Sequence, residues 1–183
     1  MSGRTHASRA GRLRGAGMAI AAGVVALAGC ASNPTEGYST EPPFPANVQT
    51  VSVSIFENKT YVRDIQFDIA DALIKKIEST TPYKVTGAGF ADTSMTGRIT
   101  NVTLRQLSKS TATGLAEEDV LVVTVDFEWR DLRTGQPIVE RRGFTADGLF
   151  VPSRPSSEPI DLGRFAAAQA LATDIVGEMR STW

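Results

Sequence analysis

The chain holds one cysteine and one histidine in 183 residues, and these two scarcities exclude more chemistry than any motif establishes. A single cysteine rules out an internal disulfide. The histidine, His6, lies upstream of Cys30 in a segment that reads as removable. A mature chain without histidine has no Ser-His or Cys-His pair and no imidazole base. A zinc site made only of carboxylates is atypical, so neither a metal nor another cofactor is expected. Long apolar runs are missing too: the stretch 16–27 falls short of the ~20 apolar residues that a membrane-spanning helix needs. Basic excess is also absent. The whole chain balances 19 Lys+Arg against 20 Asp+Glu, and without residues 1–29 the ratio is 15 to 20. That balance argues against a nucleic-acid binder, which needs a basic face.

The N-terminus is the first informative presence. Arg4, Arg9, Arg12 and Arg14 precede the apolar stretch, no acidic residue lies before Cys30, and Leu27-Ala28-Gly29 lead into the cysteine. A basic start, a short apolar core and small residues before a cleavage point mark an export signal. The tetrad Leu27-Ala28-Gly29-Cys30 resembles the lipobox of bacterial lipoproteins. That resemblance implies removal of residues 1–29, acylation of Cys30, and anchoring by more than one acyl chain, which is stable where one chain is marginal. From Ala31 to Ala46, four prolines stand among Ser, Thr, Asn and Glu. This composition reads as a tether, so residues 30–47 are expected to link the anchor to one domain at 48–183.

Within that domain two periods alternate. Val51, Val53 and Ile55 alternate with serines and predict a strand over Thr50 to Phe56 with those three buried. Ile65, Ile69, Leu73 and Ile77, joined by Phe67, Ala70 and Ile74, fall at helical spacing, with Asp64 as candidate N-cap, Lys75 and Lys76 near the C-terminal end, and Thr81-Pro82 as stop. A short strand is expected at Tyr83 to Thr86. Met95, Gly97 and Ile99 are followed by Val102 and Leu104, a parity change near Thr100-Asn101 that predicts a β-bulge. Lys109 to Glu118 reads as a loop. From Asp119 to Asp131 the alternation places Leu121, Val123, Val125, Phe127 and Trp129 on one face. Arg133 to Gln136 make a turn with Gly135 at a left-handed position. The returning strand, Ile138 to Thr145, leaves its inward face open. After a loop at Val151 to Pro159, a last helix capped by Asp161 or Ser157 is expected to bury Phe165, Ala168, Leu171, Ile175 and Met179. These elements predict an α+β fold, with two amphipathic helices on one face of a mixed four- to five-stranded sheet. Its edges would be open to another chain unless covered.

Candidate sites are sparse. Glu117-Glu118-Asp119 reads as a solvating flank of an apolar strand rather than a cation site. Gly87-Ala88-Gly89 lacks the rest of a phosphate-binding fingerprint. Asn58-Lys59-Thr60 and Asn101-Val102-Thr103 match the glycosylation pattern by accident. The constellation that stands out is Arg141 and Arg142 with Arg105 and Lys109 on a neighbouring strand, a candidate lipopolysaccharide or anion contact, because guanidinium groups suit phosphates and carboxylates. Neighbours on a strand point to opposite faces, so one of the two adjacent arginines at most joins any patch. The simpler alternative is cross-strand charge pairing, for instance of Asp126. Trp129 and Trp183 read as packing residues.

Residues 51–60, Val-Ser-Val-Ser-Ile-Phe-Glu-Asn-Lys-Thr, resemble the opening strand of the LPS-assembly lipoprotein family LptE, particularly its divergent planctomycete-like members. The stretch Ile77 to Val85 is similar to that family's first helix end and second strand. Ala91-Asp92-Thr93 through Ile99 resembles its third strand, and Val125 to Gly135 its central hairpin. The resemblance implies a non-enzymatic outer-membrane lipoprotein on the periplasmic side, with two helices on a four-stranded sheet. It would plug the LptD β-barrel and help move lipopolysaccharide to the cell surface. Ala31 after the cysteine resembles proteins sorted to the outer membrane. Two other readings stand beside it: a periplasmic ligand- or peptidoglycan-binding module, and a carboxylate hydrolase using Asp126 and Glu128.

Overall fold

A computed structural model describes residues 44–180, apart from 113 and 154. Six strands and two helices follow in the order β1 (Thr50–Val53), β2 (Glu57–Asn58), α1 (Ile65–Thr80), β3 (Lys84–Val85), β4 (Thr93–Lys109), β5 (Ala116–Asp131), β6 (Pro137–Phe150) and α2 (Ile160–Glu178). The sheet runs β3-β1-β4-β5-β6, and β2 also pairs with β4. β1 is parallel to β3 and β4, whereas β4, β5 and β6 form an antiparallel meander. Both helices lie on one face, as the alternating periods predict. The core between them includes Ile69, Leu73, Met95, Ile99, Val123, Val125, Phe127, Trp129, Leu171 and Ile175.

Glycines set the closest approaches. A Cβ on Gly148 of β6 would collide with the Gly163 carbonyl of α2, and one on Gly97 with the Phe56 ring. The chain therefore brings α2 onto β6 backbone to backbone, and lays Phe56 over β4.

Several local expectations need correction. The first strand breaks after Val53. Val53 pairs with Met95 and Glu57 with Arg98, so four residues span what three span on β4. The extra residue reverses the parity, turning Phe56 inward and leaving Ile55 58% exposed. Phe67 stands two residues from Ile65, on the far side of the helix, and is exposed. In α2, Gly163 and Ala167 meet β6, so Phe165, two residues from each, faces solvent. Asp64 and Pro159 hold the N-cap positions without side-chain caps, and no basic residue falls in the last turn of α1. β4 and β5 reach to Lys109 and back from Ala116, which shortens the expected loop to residues 110–115. The bulge near Thr100 is present as a register shift between Ile99 and Asn101.

Of the expected tether, only residues 44–47 are described. Phe44 is buried edge-on against Tyr83, the Arg180 guanidinium lies 5.9 Å from its ring, and Arg133 donates to the Asn47 carbonyl. The signal, Cys30 and Trp183 lie outside the described residues.

Candidate functional site

β6 explains why its inward face could not be read from the sequence. Val139 pairs with Trp129 and Arg141 with Phe127, but Phe144 pairs with Val125, so β6 carries one extra residue at Arg142-Gly143. Gly143 adopts φ +63°, and its N–H donates to Asp126 Oδ1 at 2.8 Å. A side chain other than glycine rarely tolerates that backbone.

The two arginines take different partners. Arg141 leans to the helix side and binds Glu178 of α2 at 2.6 Å, while Arg142 binds Glu140 at 2.9 Å. Arg105 and Lys109 lie elsewhere. β5 stands between β4 and β6, and Arg105 pairs with Val120, whose β6 partner is Leu149, eight residues from Arg141. At ~3.3 Å per residue the two pairs are some 25 Å apart. The expectation that all four residues form one constellation on neighbouring strands is therefore corrected. Arg105 and Lys109 sit instead on an extended hairpin whose Leu104, Leu107 and Leu115 are more than half exposed.

Glu57, Arg98, Asp126, Glu128, Glu140, Arg141 and Arg142 line a shallow trough of about 540 Å³, so both adjacent arginines border it. Its charges are mostly satisfied from within. Glu57 receives Lys59 and Arg98, which hold its carboxyl below the usual range. Glu128 pairs with Arg130, and Asp126 is engaged by the bulge amide rather than by an arginine. No side chain pair here resembles an acid and a base poised around a substrate, and no cluster of metal-ligating residues occurs among the described residues. Ser108 donates to Glu118 across the hairpin, whereas Asp119, the last of that acidic run, has a buried Oδ1 with no hydrogen-bond partner among the described residues.

A second recess, about 730 Å³, opens between the start of β6 and the end of α2, where Trp129, Ile138, Val139, Met179 and Arg180 line it. Trp129 is fully buried, and its indole N–H has no partner among the described residues. An unpaired buried donor costs on the order of 1–3 kcal/mol. Sequence reasoning placed Trp129 in the core but carried no signal for this orphan group. Beneath it, burial pushes the Tyr83 phenol up to about 12, while its hydroxyl donates to the Pro45 carbonyl.

Asn58 is the residue whose role sequence reasoning missed. Its Oδ1 accepts from the Thr60 amide and hydroxyl, and its Nδ2 donates to the Val62 carbonyl and Gln66 Oε1. The carboxamide thus shapes the turn into α1.

The family model described as LptE, lipopolysaccharide assembly, matches residues 48–181. The chain belongs to the LptE family. The match reaches the family, not a subgroup within it. Membership makes this LptE chain a non-catalytic lipoprotein of outer-membrane lipopolysaccharide assembly. Comparison with curated proteins gave no match. Among solved structures, protein XCC0632 from Xanthomonas campestris is similar at 13% identity and TM-score 0.51, over 75% of this chain and 87% of that one. The PelC dodecamer from Paraburkholderia phytofirmans has 18% identity and TM-score 0.46, over 78% and 96%. The first likeness concerns the fold alone.

Proposed function

We propose that this LptE chain is held on the periplasmic side of the outer membrane by acylated Cys30, docks within the lumen of an LptD-type β-barrel, and assists the passage of lipopolysaccharide. The observation that carries the reading is the family match across residues 48–181, which spans every strand and helix of the domain. The open sheet face supports it. A barrel interior is polar, and a face whose carboxylates and guanidiniums already neutralise one another can pack there without stranding a charge. Arg105 and Lys109, on the extended hairpin, are the proposed contacts for lipopolysaccharide phosphates; Arg141 and Arg142 act there only if they release Glu178 and Glu140.

Purification of the acylated protein from detergent-solubilised envelope, with mass identification of its partners, tests the proposal. The expected result is one large outer-membrane barrel in a stable complex. Recovery without any barrel overturns it. The recess lined by Ile138, Val139, Met179 and Arg180 favours a second reading, a module for a small ligand such as a peptidoglycan fragment. Quenching or shift of the Trp129 emission in a Trp183→Phe background on titration with muropeptides, with no barrel in the pull-down, would favour that reading.

A further inference from the structure

We infer that the end of the domain where the chain enters is a second membrane contact, made directly with an anionic phospholipid surface. The inference rests on anchoring at Cys30 and not on docking in a barrel.

Three segments meet at this end through hydrogen bonds. Arg133, in the β5–β6 turn, donates to the Asn47 carbonyl at 3.2 Å. Leu132 donates its amide to the Asp92 carbonyl at 2.9 Å, and Asp92 Oδ2 accepts from the amides of Gln49 and Thr50. The entry strand, the loop before β4 and the β5–β6 turn are thus fixed together. On this rigid base two apolar side chains project into solvent: Phe90 is 88% exposed and Leu132 44%. Neither serves the core.

Charge on this end is layered. Two carboxylates point inward: Asp92 is taken up by the entry strand, and Asp131, with 9% of its side chain exposed, accepts from Arg133, whereas Glu78 near the end of α1 is exposed. The cations point outward. Arg133 is 53% exposed, and Lys84 and Arg180 are exposed with no ion pair among the described residues. Apolar tips and outward Lys and Arg on the same end suit an interface with anionic headgroups, where each basic side chain adds to attraction and aromatic rings settle at headgroup depth.

Chain length adds the remaining argument. Only residues 31–43 separate Cys30 from Phe44. A link this short keeps the entry end at an effective concentration on the order of millimolar at the bilayer, so a contact too weak to bind from solution is still populated. A second signal also makes an acyl anchor durable.

The test uses the mature acylated chain in vesicles. Acylation blocks Cys30, so Phe90→Cys, Leu132→Cys and Tyr61→Cys each offer one thiol for an environment-sensitive nitrobenzoxadiazole label. Tyr61, fully exposed before α1, reports a site away from the entry end. On vesicles rich in phosphatidylglycerol, labels at 90 and 132 should blue-shift and brighten several-fold, with the label at 61 unchanged. The combined change Lys84→Glu and Arg180→Glu should reverse most of that gain. Labels at 90 and 132 that stay as aqueous as the one at 61 overturn the inference, as does an equal response on purely zwitterionic vesicles. Labelling of the parent chain, or its failure to partition into vesicles at all, would instead show that Cys30 is free, which refutes the anchoring reading.

Discussion

Gly148 and Asp92 show how single residues govern this domain in opposite ways, one by lacking atoms and the other by gathering donors. Gly148→Ala forces a methyl against the Gly163 carbonyl, so β6 and α2 must part. The expected loss is about 1–3 kcal/mol, typical of overpacking, read as a lower midpoint in urea unfolding. Gly143→Ala should also destabilise, because the change meets φ +63° rather than a neighbour. Neither requirement is legible in the sequence, where these glycines look like any others. Asp92 depends on pH. Hydrogen bonds from Gln49 and Thr50 hold its carboxyl below the ordinary 3.8, and those from Arg133 do the same for Asp131. A carboxyl with a depressed folded pKa contributes stability that is complete above its unfolded value and is lost as pH falls through the folded one. Stability should therefore decline below about pH 4, and Asp92→Asn should flatten that decline in thermal melts taken across the acid range.

Among the elements, those that stand in simple surroundings were readable. β5 is covered by helices on one side and carries Thr124, Asp126, Glu128 and Arg130 on the other, so Leu121, Val123, Val125, Phe127 and Trp129 alternate with them and are all buried. α1 packs along one stripe, and Ile65, Ile69, Leu73 and Ile77 mark it. The opening strand and β6 escaped a full reading because each contains one extra residue relative to its neighbour. A bulge moves every later side chain to the other face, and only the partner strand reveals the count. Much of the candidate site was hidden for the same reason, since the bulge at Arg142-Gly143 decides where both arginines point. The Arg141–Glu178 pair that clasps β6 to α2 is half exposed. A double-mutant cycle with Arg141→Ala and Glu178→Ala should give a coupling under about 1 kcal/mol, in line with other solvent-screened pairs. A larger value would mean that the clasp fixes α2.

At the scale of the whole molecule, family membership gives the outer-membrane lipoprotein class, and the proposed anchor at the single cysteine can be tested directly. Cys30→Ser should shift the protein from the membrane fraction to the soluble one in fractionated cells, and should weaken recovery of the barrel with it. The fold was legible at this scale because two helical periods and the alternating strands admit few arrangements. The poles were not, because their assignment needs the register. Thr93 opens β4 beside β1 at the entry end, and Lys109 closes it at the hairpin. Seventeen extended residues at ~3.3 Å each make that strand a rod of roughly 50 Å. Were the entry pole seated on the leaflet as inferred above, Leu107 and Lys109 would ride on the far tip of a boom, beyond reach of the same lipid. Their partner would have to approach from the opposite side or enclose the tip.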